Sequence, residues 1–360
     1  MNPLKARIVR QIVTDGPMPV STYMALCLFD SEYGYYMTRD PFGRSGDFTT
    51  APEISQMFGE LIGAWLVLAW RALGRPAQPV FAEIGPGRGT LAKDVARTID
   101  RLEPDLRAAS SFTLIEVSPA LARRQAETLQ AAGGVFNWIN GIEELPRGRP
   151  LLIVGNELFD AVPVRQFVKT PSGWRERCVG LGDDGDLAFL AGPGTLDTEM
   201  MPPEASTAKD GAIFEVAPAR EALLQTIAER IAEDGGAALF FDYGHLQAGL
   251  GDTLQAVLKH AYDEPLAHPG EADLTSHVDF AALAESVHRA GLTPWMTPQG
   301  RFLLGMGLLE RAGRLGATGD ADIQARLSGE VERLAGPEAM GELFKVLAFW
   351  TAGTAVPGFG

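Results

Sequence analysis

The chain has 360 residues, 46% of them hydrophobic and 21% charged, with a formal net charge of −15 at pH 7. That length supports one large core or two domains, and so acidic a surface argues against nucleic acid and lipid as partners while favouring a cationic substrate. Cys27 and Cys178 are too few and too distant for a disulfide framework or a zinc site, no apolar run reaches about 18 residues, and residues 1–13 lack the apolar core of a signal peptide; the expectation is a cytoplasmic chain without membrane insertion.

From the N-terminus, Leu4–Val13 has the apolar spacing of a short amphipathic helix, and a second helix is expected after Pro19 with Ser21 as its cap. Tyr33, Tyr35 and Tyr36 then cluster ahead of a loop rich in Gly, Asp and Thr. Thr50-Ala51-Pro52-Glu53 reads as a capping box that opens a largely buried helix running to about Arg71. From Val80 short apolar runs alternate with helical stretches, as in a parallel sheet covered by helices. The runs are Val80–Ile84, Phe112–Val117, Val135–Ile139 and Leu151–Val154. Three hairpin-type strands, Val164–Lys169, Arg175–Leu181 and Leu187–Leu190, interrupt the alternation, and residues 191–210 read as a loop. A helix over 217–233 and the run Ala237–Phe241 resume it. Residues 244–279 look irregular, as a lid or binding-site loop would. A helix over 280–290 capped by Asp279, a strand over Phe302–Leu308, and helices over Asp322–Leu334 and Glu338–Phe349 complete the reading. The expected segments are a helical lobe (1–75), an α/β domain (76–312) with insertions at 164–210 and 244–279, and a helical cap (313–360).

The richest stretch is Glu83-Ile84-Gly85-Pro86-Gly87-Arg88-Gly89-Thr90. A buried strand breaks there into a glycine turn that opens a helix, an arrangement that lets backbone approach a nucleotide-like ligand. The G-x-G-x-G spacing behind an acid resembles the first motif of class I S-adenosylmethionine (SAM) methyltransferases. Glu83 suits a ligand with an ammonium group and would repel a pyrophosphate. An ordinary strand–turn–helix corner would carry the same residues.

Ligands of open parallel sheets bind outside the carboxyl ends of the strands. There Glu116, followed by Val117 and Ser118, is placed to accept both ribose hydroxyls of a nucleoside, or is a solvated loop acid. Ile142 and Glu143 follow the third strand, where an adenine would be flanked. After the fourth come Asn156, Glu157 and Asp160, a polar cluster behind a buried run, read either as a functional rim or as a helix cap with solvated acids. Gly-x-Ser-x-Gly and Gly-Lys-Ser/Thr are absent, which removes nucleophile-elbow hydrolases and P-loops. The five histidines lack metal-ligand spacing, and no metal is expected.

Four ordered motifs, Gly46–Ser55, Glu83–Leu91, Asn156–Pro163 and Asp273–Phe280, together resemble the MidA family, which includes the mitochondrial arginine methyltransferase of complex I assembly. The resemblance runs from about Tyr33 to Leu308. It implies a Rossmann-like class I methyltransferase fold, with a mostly parallel sheet of about seven strands. It further implies SAM as cofactor, held by Thr49, Thr50, Glu83, Gly85, Pro86, Gly87, Gly89, Thr90, Glu116–Ser118, Ile142, Glu143 and Asn156. The activity it implies is symmetric dimethylation of an arginine on a core subunit of respiratory complex I. Glu157 is then the leading acid for the guanidinium, with Asp160 and Glu53 as candidates for the second. Arg165 stands where family members often carry His, and Leu158 where they often carry Phe. A small-molecule methyltransferase and a SAM-binding assembly chaperone without turnover remain the rival classes, and a homodimer is left open.

Overall fold

The structure is a computed structural model, and it describes residues 2–38, 50–196, 201–351 and 358. The chain divides into two units that do not follow chain order. One comprises residues 1–48, 159–222 and 247–279; the other comprises residues 49–158, 223–246 and 280–360. Residues 2–38 and 50–75, which the sequence suggests as one helical lobe, therefore belong to different units.

The second unit is built on one sheet. Its strands are β1 (Val80–Ile84), β2 (Ser111–Ile115), β3 (Phe136–Ile139), β4 (Leu151–Asn156), β5 (Gly236–His245), β6 (Trp295–Pro298) and β7 (Phe344–Trp350), in the order β6-β7-β5-β4-β1-β2-β3. The run from β5 through β4, β1 and β2 to β3 is parallel, whereas β7 pairs antiparallel with both β5 and β6. β1 is buried at every position, as a strand covered on both faces must be. Three helices matter to the site: α1 (Gln56–Ala72), α2 (Thr90–Leu102) and α3 (Pro119–Leu129). Phe58, Trp65 and Leu66 of α1 join Phe81, Leu152, Phe241 and Phe302 in the main core.

Four sequence expectations are corrected here. Phe302–Leu308 is not a strand: residues Gln299–Gly305 are helical and a further helix starts at Leu308. Glu338–Phe349 is not one helix, because Phe344–Trp350 is strand β7, paired with β5 from Ala237 to Tyr243. A short all-apolar run has no period that separates helix from strand, and the free edge of β5 supplies the hydrogen bonds that decide it. The capping box does not form. Thr50 makes no side-chain cap bond, and the helix it opens ends at Ile54, with extended Ser55 starting α1 afresh. The Glu53 carboxylate instead accepts the Thr90 hydroxyl. Residues 244–279, finally, are not an irregular loop.

Gly244 and His245 end strand β5, and the first unit holds residues 247–279, partly as strands. Gln255–Leu258, Ala261–Asp263 and Asp273–Thr275 form a three-stranded antiparallel sheet. A second antiparallel sheet takes Met18–Pro19, Arg165–Thr170, Gly173–Leu181, Leu187–Thr195 and Ile213–Val216, so the expected loop over 191–210 begins as strand. Helices Pro3–Asp15 and Val20–Phe29 close the core with Leu4, Ile8, Tyr23, Met24 and Leu28. Ser21 caps nothing, since the N-cap is Pro19. Arg220, 2% exposed, donates to the carbonyls of Val162 (3.0 Å), His277 (2.8 Å) and Asp160 (3.2 Å). Ser276 Oγ is a fourth acceptor. Arg220→Met would remove a donor from each of these four oxygens, of which the Asp160 carbonyl keeps the Ser276 N–H, at about 1–3 kcal/mol for each one left unsatisfied. We expect a loss of at least about 3 kcal/mol in a urea titration of the whole chain; a loss below about 1 kcal/mol would show that water replaces the guanidinium.

Candidate active site

The site grows out of the turn between β1 and α2. Gly85, Gly87 and Gly89 have φ of +65°, +54° and +79°, the left-handed region that only glycine enters without strain. The Gly85 N–H donates to the Ile115 carbonyl (3.1 Å), which ties the turn to the end of β2. Beneath it Glu83 is 2% exposed. Its carboxylate accepts the Ala92 N–H in the first turn of α2, while Oε2, also buried, has no hydrogen-bond partner among the described residues. Burial drives this carboxyl well above the usual carboxylate range, and the helix N–H only partly opposes the shift. A buried acid with an open oxygen beside three left-handed glycines suits a ligand bringing an ammonium group. The residues present fit SAM.

Glu116 follows β2 directly. Oε1 accepts the Ser118 N–H (2.8 Å) and Oε2 the Gln125 side-chain N–H (2.9 Å). Desolvation raises its pKa, and the donors at Ser118, Gln125 and Val117 pull the other way. A carboxylate offers about four lone-pair sites, so acceptor capacity remains for ligand hydroxyls. Next to it Val117 is 55% exposed, a bare apolar side chain at the strand's end. Ser118 is buried, and its hydroxyl accepts from the N–H of Leu121 as the cap of α3. Gln125 is the residue that the sequence reading passes over. It lies between Leu121 and Leu129 on the buried stripe of α3, and one polar residue inside an apolar i, i+4, i+8 series was the available signal. After β3, Ile142 is buried and Glu143 exposed in a short 3-10 turn.

Across β1, the end of β4 covers the turn from the other side. A Cβ built on Gly85 would lie 3.5 Å from Leu158 Cδ1. Asn156 Nδ2 donates to Glu157 Oε1 (3.0 Å), while Asn156 Oδ1 is buried without a hydrogen-bond partner among the described residues. Glu157 itself has φ +52°, a conformation that costs a non-glycine residue about 1–3 kcal/mol. Glu53, bound to Thr90 at the start of α2, completes the group, with Thr50 as the N-cap of its short helix. Glu83, the turn, Glu116–Ser118, Asn156 and Glu157 thus meet around the strand ends of one unit. Asp160 belongs to the other unit, where it is buried and its Oδ1 accepts the Ala161 N–H (2.9 Å). Thr49 lies outside the described residues.

Known proteins resemble this chain over most of its length. A family described as S-adenosyl-L-methionine-dependent methyltransferases matches residues 61–296. The chain is 35% identical to the mitochondrial protein arginine methyltransferase NDUFAF7 of Danio rerio, over 94% of this chain and 84% of that protein. It is 32% identical to the Homo sapiens protein of the same name, over 97% of this chain and 83% of that one. A crystal structure of a candidate methyl transferase from Burkholderia thailandensis, bound to S-adenosyl-homocysteine, superposes with a TM-score of 0.84 at 30% identity, covering 98% of this chain and 93% of that one. The cytoplasmic location expected from the sequence is contradicted by these relatives, whose names place them in mitochondria. Charge and hydropathy carry no such address. Over the length of fold, turn and matched residues, the chain belongs to the MidA family of class I methyltransferases and uses S-adenosyl-L-methionine as its methyl donor.

Proposed function

We propose that this enzyme methylates an arginine guanidinium of a protein, with Glu157 as the acid that orients it. Glu157 carries the reading: a glutamate kept in left-handed backbone at the strand end beside the glycine turn. Strain of that kind persists where the position of the side chain matters. When bound, the cofactor supplies an electrophilic sulfonium methyl. Guanidinium is planar, always charged and a poor nucleophile, so a carboxylate must hold it and draw its charge away from the attacking nitrogen. Glu53 and Asp160 remain the candidates for a second acid. The names of the relatives support an arginine acceptor, and the family resemblance points to a core subunit of respiratory complex I and to symmetric dimethylation. The small-molecule alternative rested on residues 244–279, part of which forms the strands of an ordered sheet. Mass spectrometry of methylarginine in a deletion strain tests the reading. Loss of one dimethylated site supports it, and an unchanged methylarginine profile rejects it.

In the same reading Glu83 faces the ammonium, Glu116 holds the ribose, and Val117 and Ile142 flank the adenine. Glu116→Ala removes charge-assisted hydrogen bonds worth on the order of 1.5–3 kcal/mol each. SAM affinity measured by calorimetry should fall tenfold or more, and Glu116→Asp should recover only part of it. Wild-type affinity in both variants would return Glu116 to the status of a loop acid.

A further inference from the structure

Gln125 is fully buried, and each of its amide groups is used. Its NH2 group donates to Glu116 Oε2 and to the Gly87 carbonyl, both at 2.9 Å, and Oε1 accepts the Trp138 indole N–H at 2.8 Å. The indole contact fixes which way the amide points. The opposite orientation would set a carbonyl against two acceptors and an NH2 group against an N–H donor. The backbone of α3 presses on the same turn, since a Cβ on Gly89 would lie 3.4 Å from Gln125 Cα. One side chain on a rigid helix thus spans the two strand ends that a nucleoside must bridge, and it bonds Oε2, leaving untouched the lone pair that Ser118 leaves on Oε1.

We propose that Gln125, clamped by Trp138, is a positioning residue that holds the Glu116 carboxylate and the glycine turn at the spacing SAM requires. The inference rests on Glu116 being the ribose acid. Without Gln125 the carboxylate can rotate about its own side chain, and the turn loses the bond that ties its middle carbonyl to α3. The cradle then has to be assembled on binding, and affinity falls by that cost. Glu116 would also take up a proton more readily, because one of the donors that stabilise its charge is gone.

The test compares S-adenosyl-homocysteine with its 2′-deoxy analogue in wild type, Gln125→Met, Gln125→Glu and Trp138→Phe, by calorimetry beside thermal melts. Wild type should prefer the hydroxylated ligand by tenfold or more. If it does not, the ribose assignment of Glu116 fails, and this inference fails with it. Given that preference, Gln125→Met should weaken S-adenosyl-homocysteine at least tenfold and shrink the preference to about threefold or less, the coupling expected of groups acting through one network. Gln125→Glu keeps the shape and the bond from Trp138 but replaces both donors with acceptors; it should behave alike, and it serves if the methionine variant does not fold. Trp138→Phe should fall between. A residue that only packs α3 would lower the melting temperature and leave the preference for the hydroxyl intact. That outcome overturns the role of Gln125 and leaves the ribose assignment standing.

Discussion

Glu157→Gln is expected to slow methyl transfer roughly a hundredfold or more while SAM affinity stays within about twofold, the scale of a lost electrostatic stabiliser that acts on the acceptor. The amide preserves shape, and it can keep a contact with Asn156, whose Nδ2 now donates to Glu157 Oε1. What it removes is the charge opposite a guanidinium. Backbone strain provides a second, independent arm. With φ at +52°, Glu157→Gly should relieve the left-handed conformation and leave the melting temperature unchanged or raised, although it removes the side chain altogether. Turnover should still collapse. A single-turnover assay with radiolabelled SAM and the candidate complex I subunit, run beside thermal melts, reads both arms. Normal turnover in the glutamine variant with a lowered melting point would make Glu157 a structural cap and leave the acceptor without an acid.

Gly87→Val should abolish SAM binding within the range of calorimetry, a loss of more than about a hundredfold. A β-branched residue at φ +54° is a genuine outlier, so the turn must either carry the strain or swing away. Swinging away breaks the bond from Gln125 to the Gly87 carbonyl, and staying sets two methyl groups where the ligand should lie. Gly87→Ala, with a smaller side chain and less strain, should fall between wild type and valine. The sheet beneath should survive, because β1 is held by parallel pairing to both β2 and β4 along its whole length. Far-ultraviolet circular dichroism near that of wild type, together with lost binding, is the expected pair of results. Unchanged affinity would place the nucleoside elsewhere.

Much of the candidate site was legible because its signals are local. Each of the runs at 80–84, 112–117, 135–139 and 151–154 is apolar and stops at a polar or glycine-rich turn, and β1 to β4 lie on those runs within a few residues. Glycine spacing alone marked the turn, since positive φ is a property of single residues. Partners were another matter. Glu53 reads as the end of a capping box because Thr50 is three residues away, yet its carboxylate meets Thr90, which is 37 positions on. Gln125 could be noticed as polar on an apolar stripe, but nothing nearby in the chain shows that it reaches Gly87, Glu116 and Trp138 at once.

By itself the sequence determined the parallel α/β core, the glycine turn with its acid, and the methyl donor that family motifs attach to them. Residues close in the chain decide those features through strand period, turn conformation and charge. Tertiary structure alone decided that Phe344–Trp350 is a strand, that residues 255–275 contribute an ordered sheet, and that the N-terminal helices divide between two units. A short apolar run satisfies its backbone equally well as helix or strand, and the choice falls to whichever distant edge offers it hydrogen bonds. For Phe344–Trp350 that edge is β5, more than a hundred residues earlier in the chain.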